Sequence, residues 1–213
     1  MSRPRVLIAD DHKIVVEGLR KLLDPEFDVA GAVADGRELL RAAEELRPDV
    51  IVGDISMPNL NGIEAVRQIK KVHTEMKVVF LTMHPDVAYA ASAFEAGASG
   101  YVLKHSAPDE LVTAIREALQ GRTYVTPLIA GTLLQSYKEG TNRSADTVLV
   151  LTPREREVLQ LLAEGHSMKN TAAILNVSTK TVEFHKYRMM ERLGIKTLAD
   201  LVRYAVRQGI ILL

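Results

Sequence analysis

Cysteine is absent from the 213 residues, and so is tryptophan. Without cysteine the chain can form no disulfide, no thiolate nucleophile and no zinc–thiolate site. Long apolar runs are missing as well. The first apolar run, Val6–Ala9, is far shorter than the apolar core of a signal peptide, and no later run approaches the length of a membrane span. We therefore expect a cytoplasmic protein.

An excess of one charge is also missing, because 27 Lys and Arg residues balance 27 Asp and Glu residues. This balance hides an asymmetry along the chain. Residues 1–121 carry 14 basic and 19 acidic side chains, whereas residues 149–213 carry 10 basic and 6 acidic ones. An acidic half suits a bound cation and a basic half suits a polyanion. The charge pattern therefore indicates two domains with different tasks.

Short apolar runs alternate with longer segments of helical spacing over the first 120 residues. One such segment has apolar residues at Ile63, Val66, Ile69 and Val72. The runs are rich in β-branched residues and lack polar alternation, which is typical of buried parallel strands. Five repeats predict a doubly wound α/β domain with a five-stranded parallel sheet, whose functional crevice lies beyond the carboxyl ends of the strands. The five predicted strands are Val6–Ala9, Val29–Ala34, Val50–Val52, Val78–Leu81 and Tyr101–Leu103.

The alternation ends after Gly121. Residues 122–148 predict a linker that contains one helix, Pro127–Tyr137, followed by a polar stretch rich in Gly, Asn and Ser. From residue 149 to residue 213 no strand pattern remains. Thr152 and Glu155 have the spacing of a capping box at the start of a helix, and three more helices are predicted at about 167–175, 178–192 and 198–208. The expected division is therefore 1–121, 122–148 and 149–213.

Polar side chains follow four of the predicted strands. Asp10 and Asp11 follow the first strand, Asp54 the third, Thr82 the fourth and Lys104 the fifth. We expect these side chains to meet at one edge of the sheet, where three carboxylates need a cation between them. An oxygen-rich site with few protein ligands suits Mg²⁺. With Lys104 to hold phosphoryl oxygens, the set predicts phosphoryl transfer to Asp54 as an aspartyl phosphate.

These positions resemble the receiver domain of bacterial two-component response regulators, which has a flavodoxin-like fold. The matching text is Asp10-Asp11, Asp54–Pro58, Leu81-Thr82 and Tyr101–Lys104. The resemblance implies that Asp54 is the phosphoacceptor. It also implies that Mg²⁺ is held by Asp11, Asp54 and the Ser56 carbonyl with help from Asp10, that Thr82 and Tyr101 form a switch pair, and that Lys104 binds phosphate. We expect His12, His84 and His105 to be solvated residues flanking this site.

The basic C-terminal half contains a helix-turn-helix pattern. Leu175–Ser178 connects two predicted helices, and Ser178 is a suitable N-cap for the second. On a helical wheel this second helix buries Val182, Met189 and Leu193, with His185 beside them. The opposite face and the helix start would meet DNA, with Lys180 and Arg188 suited to phosphates. The predicted DNA-binding residues are Thr179, Lys180, Thr181, Glu183, Phe184, Tyr187 and Arg188.

This half resembles the LuxR-type effector domain of NarL/FixJ response regulators. The matching text is Leu151–Leu159, Leu162–Gly165, Lys180–Val182, His185 and Arg192–Gly194. The resemblance implies that the last helix, Leu198–Gln208, forms the dimer contact on DNA. The chain departs from the family pattern at Glu183, where a basic residue is common, at Lys186, where an apolar one is usual, and at Asn170-Thr171. An acid at 183 repels phosphate but can accept a hydrogen bond from cytosine.

We therefore predict a phosphorylation-controlled DNA-binding transcription regulator that is not an enzyme. Its partners would be a histidine kinase, double-stranded DNA and, when phosphorylated, a second copy of the chain. Phosphorylation could uncover Lys180 and Arg188, if the acidic half covers them, or drive dimerisation. Two alternatives remain open. One is a metal-dependent phosphatase, which would need a second acid where the chain has Ser56. The other is a phosphorylation-dependent module that binds protein.

Overall fold

The computed structural model describes residues 3–138 and 151–211, here called the N-terminal part and the C-terminal part. Six parallel strands form one sheet in the N-terminal part, in the order β2-β1-β3-β4-β5-β6. The α/β class with a parallel sheet is thereby confirmed, with one strand more than the sequence predicts. The strands are β1 (Arg5–Ala9), β2 (Asp28–Val33), β3 (Val50–Gly53), β4 (Lys77–Thr82), β5 (Gly100–Leu103) and β6 (Tyr124–Val125).

Helices cover both faces of this sheet, which explains why its central strands read as continuous apolar runs. Successive strand residues point to opposite faces. Val6 and Ile8 of β1 pack in the core beneath α1 and α5, and Leu7 and Ala9 pack in the core beneath α2, α3 and α4. The helices are α1 (Lys13–Leu23), α2 (Gly36–Leu46), α3 (Gly62–Val72), α4 (Val87–Glu95), α5 (Ala107–Leu119) and α6 (Pro127–Lys138).

The sixth strand joins the sheet to the helix predicted in the linker. Tyr124 and Val125 pair with β5, and the next residue, Thr126, is 1% exposed. The Thr126 backbone N–H donates to the Tyr101 carbonyl at 2.9 Å, and its Oγ1 accepts from the Leu103 N–H at 3.1 Å. Helix α6 starts directly after Thr126. The linker therefore begins with a strand that is paired with β5, the strand that carries Tyr101.

Four helices build the C-terminal part, and each one begins at a Ser or Thr N-cap. Thr152, Ser167, Ser178 and Thr197 each accept a hydrogen bond from the backbone N–H three residues ahead. This bond satisfies a donor that the helix itself leaves free. The helices are α7 (Pro153–Ala163), α8 (Met168–Ile174), α9 (Thr179–Leu193) and α10 (Leu198–Arg207). The predicted helix-turn-helix is formed by α8 and α9, and Leu159, Val182, Met189 and Leu201 lie at the centre of the shared core.

The two parts contact each other through α7. Its Arg156 Nε donates to Glu64 Oε2 of α3 at 2.8 Å, and both side chains are buried. Its Glu157 accepts hydrogen bonds from Arg37 and Gln68 at 2.9 and 3.0 Å. Helix α7 thus buries polar side chains because it pairs them with polar groups of the N-terminal part. Among the described residues, no helix is both long and apolar enough to cross a lipid bilayer.

The capping box at the start of α7 gives a stability prediction. Thr152 Oγ1 accepts from the Glu155 N–H at 3.3 Å, and the Thr152 N–H donates to Glu155 Oε2 at 2.8 Å. Thr152→Ala removes the first bond, so we expect the free energy of unfolding to fall by about 1 kcal/mol. Thr113→Ala, on the exposed surface of α5, is the matched control and should stay within about 0.5 kcal/mol. Urea unfolding followed by circular dichroism measures both, and equal losses would contradict the role of the cap.

Candidate functional site

Lys104 links two buried carboxylates at the carboxyl edge of the sheet. Its Nζ lies 2.7 Å from Asp10 Oδ2 and 2.7 Å from Asp54 Oδ2. Asp10 directly follows β1, Asp54 directly follows β3, and Lys104 directly follows β5, as the strand pattern predicts. The two aspartates are 3% and 5% exposed. One cation therefore bridges two carboxylates that have little contact with water.

A third carboxylate and a histidine complete a potential cation site. Ligand atoms of Asp10, Asp11, His12 and Asp54 all lie within 4.8 Å of one another. The backbone N–H of His12 donates to Asp10 Oδ1 at 2.8 Å. The ring Nδ1 of His12 lies 2.8 Å from Asp11 Oδ1. Three acids around one lysine leave negative charge unbalanced. The oxygen donors fit a hard divalent cation, because such cations prefer carboxylates.

Burial and charge act against each other on Asp54. Burial raises the pKa of the Asp54 carboxyl above its usual value, although the hydrogen bond and positive charge of Lys104 act to lower it. Burial also acts to lower the pKa of Lys104, but hydrogen bonds to Asp10 and Asp54 outweigh it and raise that pKa. Lys104 therefore stays a cation at neutral pH. It is placed to meet negative oxygens on any group that reaches Asp54.

The predicted switch residues Thr82 and Tyr101 both contact the segment after β4. Thr82 is fully buried at the end of that strand, and its Oγ1 accepts from the His84 N–H at 3.3 Å. The Tyr101 hydroxyl donates to the His84 carbonyl at 2.8 Å. Burial raises the pKa of the Tyr101 phenol, so it stays protonated and remains a donor. The two residues therefore bond to the backbone of one residue, His84, although they come from different strands.

His84 differs most from its expected place. The sequence predicts a solvated flanking residue, but the His84 Nε2 is hydrogen-bonded to Ser56 Oγ at 2.9 Å. Its ring stacks on Tyr89 of α4, with centroids 4.4 Å apart and planes 14° apart. Sequence reasoning misses this because the partners lie 28 and 5 positions away. The position two residues after Thr82 is the available signal, since it places His84 beside the site.

The loop from β3 to α3 wraps closely around Asp54. The Ser56 N–H donates to Asp54 Oδ1 at 3.3 Å. At Gly62, an added Cβ would lie 2.1 Å from the Asp54 carbonyl oxygen, so no larger residue fits there. The Gly62 N–H also donates to the Ile55 carbonyl at 2.8 Å. The loop backbone is therefore held against the residue whose carboxylate faces Lys104.

The second predicted site is the outer face of α9. Val182 and Met189 are fully buried, as expected for the inner seam, whereas Phe184 and Tyr187 are 57% and 56% exposed. Thr179 and Lys180 are exposed at the helix start, while Thr181 is half-buried and its hydroxyl lies 2.9 Å from Ser178 Oγ. One shallow depression is lined by five of the seven predicted residues and by Glu191, which is not among them; the five are Lys180, Glu183, Phe184, Tyr187 and Arg188.

Two aromatic–cation contacts order this face. The Arg188 guanidinium lies 5.7 Å from the Phe184 ring centre, and Lys186 Nζ lies 5.4 Å from the Tyr187 ring centre. Arg188 Nε is also 3.9 Å from Glu155, which is buried at the start of α7. These contacts limit the rotamers that long side chains can adopt. The face therefore presents basic side chains and aromatic rings in a partly fixed order.

The N-terminal part does not cover this face. The expectation that it shields Lys180 and Arg188 is not met, because both side chains are exposed and the contacts between the two parts involve α7 and the turn after α10. Two ion pairs do join the two parts, but they lie at other residues: Arg156 with Glu64 and Arg37 with Glu157. In this arrangement the N-terminal part therefore does not control DNA binding through direct contacts to Lys180 or Arg188.

Known families match both parts of the chain. Residues 6–116 match the family described as response regulator receiver domain, and residues 149–205 match bacterial regulatory proteins of the luxR family. Oxygen regulatory protein NreC of Staphylococcus epidermidis is 37% identical over 97% of this chain and 99% of its own. Transcriptional regulatory protein DegU of Brevibacillus brevis is 31% identical over 98% and 95%.

Solved structures give the same result. The RcsB response regulator of Salmonella typhimurium is similar with a TM-score of 0.60 and 30% identity, over 97% of this chain and 100% of that one. A structure described as the RcsB–DNA complex matches with a TM-score of 0.60 and 30% identity, over 95% and 98%. Both families and the full-length relatives agree. The chain therefore belongs to the two-component response regulators of the NarL/FixJ type, in which a receiver domain is followed by a LuxR-type DNA-binding domain.

Proposed function

We propose that this response regulator accepts a phosphoryl group on Asp54 and thereby controls how α9 binds DNA. The observation that carries the proposal is the placement of Lys104 Nζ 2.7 Å from both Asp54 and Asp10. A buried carboxylate beside a fixed cation and further acids is arranged for a group that brings its own negative oxygens. Phosphoryl transfer requires this kind of positioning and charge neutralisation.

The residues at the pocket would have different roles in phosphoryl transfer. Asp10, Asp11, Asp54 and the carbonyl of Ser56 would hold Mg²⁺, which supplies positive charge to the phosphoryl oxygens. Asp54 attacks the phosphorus of a phosphohistidine on the kinase. The new bond joins Asp54 Oδ to phosphorus, the phosphorus–nitrogen bond breaks, and its electron pair stays on the imidazole. Lys104 then binds an oxygen of the transferred group.

Transfer of a phosphoryl group to Asp54 would change the hydrogen bonds of the switch residues Thr82 and Tyr101. A phosphoryl group adds charge of about −1.5 to −2 and three acceptor oxygens at Asp54. Thr82 would donate to one of these oxygens, and its bond to the His84 N–H would change as a result. Tyr101 is bonded to the same residue, so its hydroxyl would respond. Residues of two strands, β4 and β5, would thereby respond to the phosphorylation of Asp54.

The proposed partners are a histidine kinase, double-stranded DNA and a second copy of the chain. On DNA, the C-terminal helix α10 would form the dimer contact. The proposed domain limits are 1–121 and 149–213, joined by 122–148, and the proposed location is the cytoplasm, where regulator and DNA can meet. The relative RcsB has been described in complex with DNA, which supports this assignment. Beyond its own phosphorylation we propose no enzymatic activity, because Ser56 stands where a phosphatase would need its second acid.

Asp54→Asn should abolish phosphorylation, because an amide oxygen is a far weaker nucleophile than a carboxylate. The chain is incubated with Mg²⁺ and acetyl phosphate, and intact masses are compared. Asp24→Asn, at an exposed position outside the pocket, is the control and should be labelled like the unaltered chain. A phosphoryl adduct that persists undiminished in Asp54→Asn would move the acceptor elsewhere.

Removal of Mg²⁺ should abolish the same labelling. The acids at the pocket outnumber Lys104, so the incoming phosphoryl group would meet unbalanced negative charge without the cation. Labelling is measured with acetyl phosphate before and after chelation, and again after Mg²⁺ is added back. Undiminished labelling in the chelator would show that the acidic cluster does not need a divalent ion.

Substitutions on α9 should separate phosphate contacts from base contacts. Lys180→Ala and Arg188→Ala should each weaken binding to all duplexes alike and lower the salt dependence by roughly one unit for each phosphate interaction removed. Glu183→Ala should instead change the preferred base at one position by about 1–3 kcal/mol. Lys21→Ala, an exposed lysine on α1, is the charge-matched control.

Fragments selected from genomic DNA by the phosphorylated protein supply the duplex for these measurements. Each base pair is then substituted in turn, and binding is measured for each variant at fixed salt. If the preference profile of Glu183→Ala equals that of the unaltered chain, Glu183 is not a base reader. If Lys21→Ala lowers the salt dependence as much as Lys180→Ala does, the DNA surface is not the outer face of α9.

A further inference from the structure

A cavity of about 260 Å³ lies where α3 and α4 of the N-terminal part face the C-terminal part. The N-terminal turns of α3 and α4 form one wall, and Arg156 of α7 with residues 207–210 forms the other. Neither of the two aspartates that bond to Lys104 lines it. Pockets for drug-sized ligands measure roughly 300–1,000 Å³. This cavity is therefore separate from the phosphorylation site and suits a smaller molecule.

Glu64 lines the cavity and leaves one buried carboxylate oxygen without a hydrogen bond. The residue is 1% exposed, and its Oε2 accepts from Arg67 Nη1 and from Arg156 Nε, each at 2.8 Å. Its Oε1 is buried as well, but none of the described residues donates to it. A buried acceptor without a donor is costly. The cavity therefore favours a molecule that brings a hydrogen-bond donor to Glu64.

Arg207 brings a further positive charge to the same cavity. It is the last residue of α10, its side chain is exposed, and it makes no hydrogen bond or ion pair with any part of the chain that the structure describes. The charged residues that line the cavity are Arg67, Arg156 and Arg207 against Glu64 and Asp86. One positive charge is thus in excess, and the lining favours an anion.

Two helix N-termini add to this positive potential. Asn61 is the N-cap of α3 and Asp86 is the N-cap of α4, and both residues line the cavity. The first turn of a helix carries partial positive charge on its free N–H groups. Helices α3 and α4 have 11 and 9 residues, so both are long enough to have a substantial dipole. An anion in the cavity would meet both dipoles at their favourable ends.

The two requirements together define the chemistry of a ligand. The excess positive charge requires an anionic group, and a guanidinium binds a carboxylate through well-directed hydrogen bonds. The donor to Glu64 must be neutral, because this carboxylate already faces two guanidinium groups and a third cation would be repelled by them. A hydroxyl group is such a donor. The side chains of Ile63, Ala88 and Ile210 leave apolar surface for a short carbon chain.

We propose that this cavity is a binding site for a small hydroxycarboxylate. The carboxylate pairs with Arg207, and the hydroxyl group donates to Glu64 Oε1. Residues of both parts of the chain contact the ligand, so its affinity depends on their arrangement, and the bound ligand stabilises that arrangement in return. The regulator thereby gains a chemical input that is independent of Asp54.

Two pairs of probes test the hydroxyl group. Lactate and propionate differ in one hydroxyl group, and so do malate and succinate. Each is titrated into the full, unphosphorylated chain by isothermal titration calorimetry, at matched ionic strength and without divalent cations. The hydroxylated member of at least one pair should bind at least about fivefold more tightly, because its partner leaves the buried Glu64 oxygen without a donor. Equal affinities within both pairs, or no binding of either hydroxycarboxylate at millimolar concentrations, would overturn the proposal.

A matched pair of variants tests the location. Arg207→Gln should weaken binding of the hydroxycarboxylate at least about fivefold, because the charge-assisted hydrogen bond to the carboxylate is lost. Arg203→Gln removes an exposed arginine one turn earlier on α10 that does not line the cavity, and it should bind like the unaltered chain. Equal weakening in both variants would place the anion elsewhere on the basic surface. The titrations contain no phosphoryl donor, so their outcome does not depend on the acceptor role of Asp54.

Discussion

The pairing of one lysine with two buried aspartates is the constraint on which the rest of the structure depends. Asp10 and Asp54 have little access to water, and like charges at this distance repel each other. Lys104 can contact both only because β1, β3 and β5 end at the same edge and in the same direction. The parallel sheet thus sets the electrostatics of the pocket, and the pocket in turn requires β1 and β5 to lie on either side of β3 and β4.

Much of this was predictable from the sequence because parallel strands impose simple geometry. A polar residue directly after an apolar run must lie at the carboxyl edge, so Asp54, Thr82 and Lys104 could be placed without coordinates. The N-caps Thr152 and Ser178 were predictable for a similar reason, since capping depends on residues three apart. The spacing rule for helix caps and the common direction of the parallel strands were sufficient to place these residues.

Other features depend on contacts that no local pattern contains. The strand β6 has only two residues, which is too short for any periodicity, and its partner strand supplies its hydrogen bonds. The role of His84 depends on Ser56 and Tyr89, which approach it from a loop and from another helix. Nothing in the sequence indicates that polar residues of α7 are buried, yet Gln160 is buried against a loop about 100 positions earlier. In each case tertiary contacts decide, and these are not visible in residue spacing.

Thr126 gives the linker helix a mechanical relation to strand β5. Its backbone and hydroxyl bond to Tyr101 and Leu103, so α6 starts from a point fixed to that strand. A helix of 12 residues is about 18 Å long. A tilt of about 10° at its first turn moves its far end by about 3 Å, by the geometry of a rigid rod of that length. Helix α6 also packs on the core of the N-terminal part through Ile129 and Leu133, so a tilt that begins beside Tyr101 would have to shift these buried contacts as well.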